Sequence, residues 1–384
     1  MYRKSVLNKF TIFVISILIS VLIVSCNRAS KTNYSKSKSS FIEYADCFLL
    51  DTINGICRLQ IINDKYPSPL AQYFLINRDE PIPDTLSQSN IIRIPVQRIA
   101  CLVSSEIEAL NLLNENKILC GISDKSYFND DTLIQKRVKN MEIKELSKGG
   151  MFNVEKALEV QPEVIMMSWF DGQDFSQYTN LGLKIIPDIE YLEQNPLGRA
   201  EWIKLYGLLT GKQNDAYHIF EDIKSKYLAL KNLTKGMKVK PLVISGKLLG
   251  DIWYAPGGNS YVASMFRDSG VDYPWYDVKS SGGIPLNIET VLSKGQYADF
   301  WRLNASIEDD KLYEALYSEN ILYSHFKAFK EMKILYCNID KTRFFQKSSY
   351  EPHFVLSDYI HAFYPDLLPG YSPKYYKIIS KKSN

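Results

Sequence analysis

The chain has 384 residues, of which 46% are hydrophobic and 23% charged, with a formal net charge of +3 at pH 7. That is enough apolar material for one large core or two ordinary ones, and too balanced a composition for a disordered or fibrous protein. No stripe of basic residues interleaved with aromatics accompanies the small positive balance, which argues against nucleic acid as a partner.

Residues 1–25 read as a leader. Arg3, Lys4 and Lys9 precede an apolar run, Thr11 to Val24, that suits a signal h-region and is short for a membrane span. The run ends Ile23-Val24-Ser25-Cys26, which resembles a bacterial lipobox. On that reading Cys26 is acylated and anchors the chain to membrane lipid; an uncleaved anchor helix is the alternative. Cleavage would remove those three basic residues and no acid, taking the formal charge to zero. Residues 26–40 are polar and nearly free of apolar side chains, as in a flexible tether. The remaining cysteines are odd in number and scattered, which is no disulfide framework and no zinc motif. Cys47 and Cys57 flank a hairpin and could pair in an oxidising compartment.

Residues 41–94 alternate apolar and polar side chains around Asn54-Gly55, a strong hairpin signal, and read as a β-rich extension. From 95 to 198, short strand-forming runs (RIACLV, EVIMMSWF, GLKIIPDI) alternate with helical spacing. Residues 199–238 are helical. Within them Asn214 or Asp215 can cap a helix of about 30 Å, with Tyr217, Phe220, Ile223, Tyr227 and Leu230 on one stripe. From 239 to 384 the strand–helix alternation returns (KPLVISGK, NSYVASMFRDSG, EMKILYCNID). Two passages match: GGMFNVEKALEV from Gly149 and GGIPLNIETVLS from Gly282, each with Asn-apolar-Glu opening a helix. The pattern predicts an α/β protein with two Rossmann-like lobes, each with a parallel sheet, joined by one long helix.

These features resemble the class III substrate-binding proteins of ABC importers, in their Bacteroidetes branch. The lipoprotein leader, the doubled Asn-apolar-Glu, SSEIEALNLL, IWYAPGGNSY and VLSDYIHAFYPDLLPG carry the resemblance; the loop around Asp130-Asp131 matches no family signature. The resemblance implies a cell-envelope lipoprotein that delivers a large metal-complex ligand to a permease dimer with its ATPase. The ligand is a ferric siderophore or haem, with cobalamin as the alternative. It further implies that Glu155 and Glu289 dock on the two halves of the permease. The simpler account is that Asn153 and Asn287 cap helices and the glutamates complement the helix dipoles. A ligand-binding lipoprotein sensor without a permease is the other class of function.

Ligands of open α/β sheets sit beyond the carboxyl ends of the strands. The candidates there are Lys125, Tyr127, Trp169, Phe170, Trp253, Tyr254, Trp301, Arg302 and Arg343, with Ser104, Ser105 and Phe344 nearby. Aromatic faces suit a large flat ligand, and the cations suit carboxylates or catecholates on its rim. For Trp169 and Trp301 core packing competes with this reading, and for Arg343 solvent does. The loop WYAPGGNS can be read as an anion cradle. His218, His325, His353 and His361 form no set at metal-ligand spacing, so no metal site is expected. No Walker loop, nucleophile elbow, zinc-protease motif or dinucleotide fingerprint occurs, so neither an enzyme nor a cofactor is expected.

Overall fold

A computed structural model describes residues 41–128 and 131–379. Cys26, the leader and the tether lie outside the described residues. Strands β1 (Phe48–Ile53), β2 (Ile56–Ile61), β3 (Ala71–Asn77) and β4 (Ile91–Ile94) form a four-stranded sheet in that order. The turn between β1 and β2 places Asn54 at φ 50° and Gly55 at φ 82°, the left-handed pair that a two-residue hairpin requires. Its register sets Cys57 opposite Thr52, whereas Cys47 pairs through its carbonyl with Ile62 N–H. The two cysteines are therefore about five strand steps, ~16 Å, apart, too far for a disulfide.

Two buried carboxylates hold the start of this segment. Glu201 accepts the backbone N–H groups of Glu43, Tyr44 and Ala45 at 2.9, 2.7 and 2.8 Å. Glu193 accepts those of Asp46 and Cys47 at 2.8 and 2.9 Å. Lys204, itself buried, neutralises Glu201 at 2.7 Å. Such a pair is costly to bury alone and persists because every oxygen finds donors.

The first lobe has strands β5 (Ile99–Cys101), β6 (Leu119–Ile122) and β7 (Lys144–Glu145), a two-stranded ribbon β8–β9 (Ser147–Lys148, Met151–Phe152), then β10 (Val164–Ser168) and β11 (Ile185–Asp188). Its five-stranded sheet runs β11-β10-β5-β6-β7 and is parallel throughout. The second lobe has β12 (Val243–Ser245), then an antiparallel trio β13 (Leu248–Leu249), β14 (Ile252–Pro256) and β15 (Gly283–Leu286). It continues with β16 (Phe300–Ala305), β17 (Ile334–Asn338) and β18 (Lys377–Ile378). Its main sheet is β12-β16-β17-β18, parallel except at β18. Asp358, buried on helix Pro352–Phe363, accepts the N–H groups of Lys374, Tyr375 and Tyr376 and so positions that last strand.

The long helix spans Gln213–Leu233. Its buried stripe is Ala216, Phe220, Ile223 and Tyr227; Tyr217, expected inside, is 44% exposed. Ala216 takes that place because Gly207 lets the preceding helix approach: a Cβ on Gly207 would lie 2.4 Å from Ala216 Cβ. The cap is Lys212, without a side-chain bond, and Asp215 falls in the first turn instead. At the far end Tyr227 donates to Asp268 at 2.8 Å, and Lys231 pairs with the same carboxylate at 2.8 Å.

Gly246 shows how tightly the second lobe closes. Its φ is 101°, and a Cβ would stand 2.1 Å from the Tyr254 carbonyl oxygen. Gly246→Ala should therefore cost about 2 kcal/mol or more, read as a lower denaturant midpoint. Gly282→Ala, where no atom lies within 4 Å, should unfold like the parent chain. Equal midpoints for the two variants would contradict the close packing.

Candidate functional site

A cavity of about 730 Å³ lies between the lobes. Its first-lobe wall is built where parallel strands end. Leu102, Val103 and Ser104 follow β5, Ser123 and Ser126 with Tyr127 follow β6, and Ser168 closes β10. The second-lobe wall is Ile339 and Asp340, which open a short helix directly after β17, with Arg343 from the junction to the next short helix and Phe345 and Gln346 on that helix. This is the position that the topology of open α/β sheets assigns to ligands.

The candidates divide. Tyr127 and Arg343 line the cavity, Tyr127 being 69% exposed. Lys125 is exposed on the same turn, Lys125–Phe128, beside the wall. Phe170, 62% exposed, and Tyr254, 45% exposed, lie on the surface without lining it. The three tryptophans and Arg302 do not reach the cavity. Trp253 and Trp301 are fully buried and stacked at 5.6 Å, and their indole N–H groups donate to the carbonyls of Ser245 and Gly246. Trp169 is 4% exposed and donates to the Gln173 carbonyl at 2.8 Å. Arg302 is buried, with Nε on Tyr359 Oη at 3.0 Å and Nη2 on Tyr376 Oη. These four are core residues.

The strand period accounts for Trp253. Residues 252–255 alternate exposed and buried, so Trp253 faces inward and its neighbour Tyr254 outward. A one-residue offset also corrects the late loop: Phe344 is buried at 3% and Phe345 is exposed at 58%. The WYAPGGNS loop is no anion cradle. The N–H groups of Gly257, Gly258 and Asn259 go to the carbonyls of Gly282, Val278 and Ser280. Sequence reasoning missed Ser123, Ser126, Ser168, Asp340 and Gln346. Their signal was position alone: each sits at, or a few residues beyond, the end of a parallel strand.

Polar contacts join the lobes below the cavity. Arg199 donates to Glu190 Oε1 at 2.8 Å and to Ser349 Oγ at 2.8 Å, and its guanidinium lies 4.0 Å over the Tyr261 ring. Ser349 returns a bond to Glu190 at 3.1 Å. Gln346 Nε2 donates to Glu108 at 3.1 Å. At the cavity itself Arg343 meets Asp131 of the first lobe at 3.8 Å. Arg343 sits at φ 52°, a left-handed conformation unfavourable for a residue that carries a Cβ, between its two short helices.

A buried acid pair lies in the same seam. Glu106 takes the Val103 N–H through Oε2, while Oε1 meets no partner. Burial, then the charge of Asp188, pushes the Glu106 carboxyl well above the usual range. Burial and the charge of Glu190 raise Asp188 as well. The orphan oxygen thus fits a protonated Glu106 donating to Asp188. Tyr206 and Tyr350 stand close to both acids, and Arg199 faces Asp188.

A carboxyl raised in the folded state stabilises fully below its unfolded value, about pH 4.5, and loses that contribution as pH rises through the folded value. Raising pH from about 5 to about 8 should lower the melting temperature of the parent chain more than that of Glu106→Gln. The gap should grow by up to ~1.4 kcal/mol per pH unit. Parallel curves would mean Glu106 is ionised throughout.

No group of three or more histidine, cysteine or acidic residues able to hold a metal occurs among the described residues. No helix among them is long and apolar enough to cross a membrane. Asn153 and Asn287 each cap a helix, accepting from Lys156 N and Thr290 N at 2.8 Å. Glu155 and Glu289 are exposed in the first turns of those helices.

Residues 99–340 match the model of the periplasmic binding protein family. An uncharacterized lipoprotein of Methanocaldococcus jannaschii is 28% identical over 318 residues, covering 78% of this chain and 74% of its own. Among solved structures, a periplasmic heme-binding protein from Pseudomonas aeruginosa superposes with a TM-score of 0.57 at 17% identity. That match covers 75% of this chain and all of the other. A substrate-binding protein of an ABC transporter from Listeria monocytogenes gives 0.55 at 16% identity, covering 70% and 99%. A FepB-type binding protein from Veillonella parvula gives 0.54 at 18%, covering 73% and 88%. The all-parallel first sheet, the cavity at its strand ends and the family match agree: the chain is a binding protein, not an enzyme, and belongs to the periplasmic binding protein family.

Proposed function

We propose that this protein is the substrate-binding lipoprotein of an ABC importer, held to the envelope through Cys26, which captures a metal complex between its lobes and hands it to a permease. A ferric siderophore or haem is the ligand favoured by this reading, with cobalamin as the close alternative. The observation that carries it is the interlobe cavity of about 730 Å³, walled by strand ends of both lobes and carrying the exposed rings of Tyr127 and Phe345. That volume lies within the range of small-molecule and cofactor sites. Similar solved structures named as heme-binding and as a ferric hydroxamate transport protein support an iron complex as the ligand.

Delivery needs docking. A two-fold symmetric permease offers the same basic pocket twice, so one chain must present the same acidic group twice. Glu155 and Glu289 meet that need: each is exposed, each opens a helix fixed by an asparagine cap, and neither enters an ion pair among the described residues. A charge pair desolvated on docking loses roughly 2–5 kcal/mol when one partner is truncated, whereas an exposed helix-dipole contact is worth about 0.3–1 kcal/mol.

The experiment is uptake into vesicles bearing the permease, beside calorimetry and thermal melts. Glu155→Ala and Glu289→Ala should each reduce uptake at unchanged ligand affinity, and the double variant should nearly abolish it. Tyr127→Ala should instead weaken ligand binding, by about tenfold or more for one buried aromatic ring. Normal uptake by both glutamate variants, with slightly lowered melting temperatures, would reduce the glutamates to helix-starting residues. Ligand binding by the parent chain without any uptake would favour the sensor without a permease.

A further inference from the structure

The structure reverses the electrostatics that the sequence led one to expect at the ligand site. The cations anticipated for a polyanionic rim are mostly committed elsewhere. Arg302 is inside the second lobe, bound to two tyrosines and Ser245. Arg343 does line the cavity, but Asp131 already faces it across the lobes at 3.8 Å. Asp340, on the same wall, adds an exposed carboxylate three residues away. The turn carrying Ser126 and Tyr127 is flanked by carboxylates too. Asp124 accepts Ser126 N–H at 2.9 Å, and Glu145 accepts Lys125 N–H at 3.2 Å. The charge of Lys148 is felt by Asp124, whereas Lys125 reaches Glu145 only through its backbone N–H, so two carboxylates and two lysines share this turn. The helix that begins at Ser104 starts at the cavity wall, and Glu106, one turn in, accepts the Val103 N–H there.

What remains on the wall is neutral hydrogen-bonding chemistry. The hydroxyls of Ser104, Ser123 and Ser168 make no hydrogen bond to the described residues, and Tyr127 and Gln346 complete the polar lining. Hydroxyls of this kind pair with carbonyl, amide and hydroxamate oxygens. A polyanion entering here would lose its hydration against a wall in which carboxylates match or outnumber cations, and nothing would repay that loss.

Resting on the reading of the cavity as the ligand site, we propose that the ligand is a metal chelate of low net charge with a neutral, amide- or hydroxamate-rich periphery. Charge, not size, is then the selectivity filter. A ferric trihydroxamate and a corrinoid share that chemistry; a tricatecholate and a dicarboxylate porphyrin do not.

The test is calorimetry on the full-length protein in detergent with four probes: a neutral ferric trihydroxamate, cyanocobalamin, a trianionic ferric tricatecholate and haem. One of the two neutral probes should bind one-to-one, roughly tenfold or more tighter than either anionic probe. Its affinity should vary little between low and high salt, since no net charge is neutralised. Asp340→Lys should raise affinity for the trianionic probe while leaving the neutral probe within a few-fold. Which neutral probe binds tells hydroxamate from corrinoid. Tightest binding by an anionic probe, with affinity falling steeply with salt, would overturn the charge assignment and leave the cavity as the ligand site. Binding of none of the four by a chain that still melts cooperatively would overturn both.

Discussion

Arg199 is the residue on which the relation between the lobes depends. Its carboxylate partner Glu190 follows the last strand of the first lobe, while Ser349 and the Tyr261 ring belong to the second. A guanidinium is suited to this place because its planar fork binds two oxygens and stacks on an aromatic face at once. Being buried, it cannot lose one partner without leaving a charge unsolvated. The two walls of the cavity are thus joined through one planar group, alongside an apolar core that is continuous through both lobes. The connecting helix adds a second constraint, tied to Asp268 at its far end by Tyr227 and Lys231.

From that seam upward the chemistry changes in an ordered way. Fully buried are the ion pair and the acids Glu106 and Asp188, both raised above the usual carboxyl range by burial. Above them come the uncommitted serines at the strand ends, and then the exposed rings of Tyr127 and Phe345. The buried groups fix geometry, and the hydroxyls and rings are left for a ligand. Of the cations on the wall itself, Arg343 already has Asp131 as an acidic neighbour.

Much of the architecture was legible from pattern. Short apolar runs alternating with helical spacing gave a parallel sheet in the first lobe and one parallel but for β18 in the second, and Asn54-Gly55 marked its hairpin. The two Asn-apolar-Glu passages both became capped helices. Their preceding Gly-Gly pairs did not become equivalent, however. Gly149 and Gly150 take φ of 56° and 80° in the β8–β9 turn, whereas Gly283 opens strand β15. The site was legible only in position. That strand ends would face the ligand followed from topology; which side chains would point there did not. Trp253 and Trp301 look like ligand platforms in sequence, yet a large ring with one polar N–H is equally at home in a core that offers it a carbonyl, as Ser245 and Gly246 do. Arg302 misled for a related reason, since a buried arginine satisfied by tyrosines leaves no trace in local periodicity. The clamps made by Glu193 and Glu201 were invisible too, because they join residues about 150 positions apart in the chain.

Native mass spectrometry of the protein purified from its own envelope, with metal analysis of the same sample, tests the central claim most directly. The account predicts one chelate per chain, containing a transition metal in equal proportion to protein and leaving the cavity as a species of low charge. A chain carrying no metal complex, and instead holding a sugar, a peptide or an amino acid in that proportion, would contradict it.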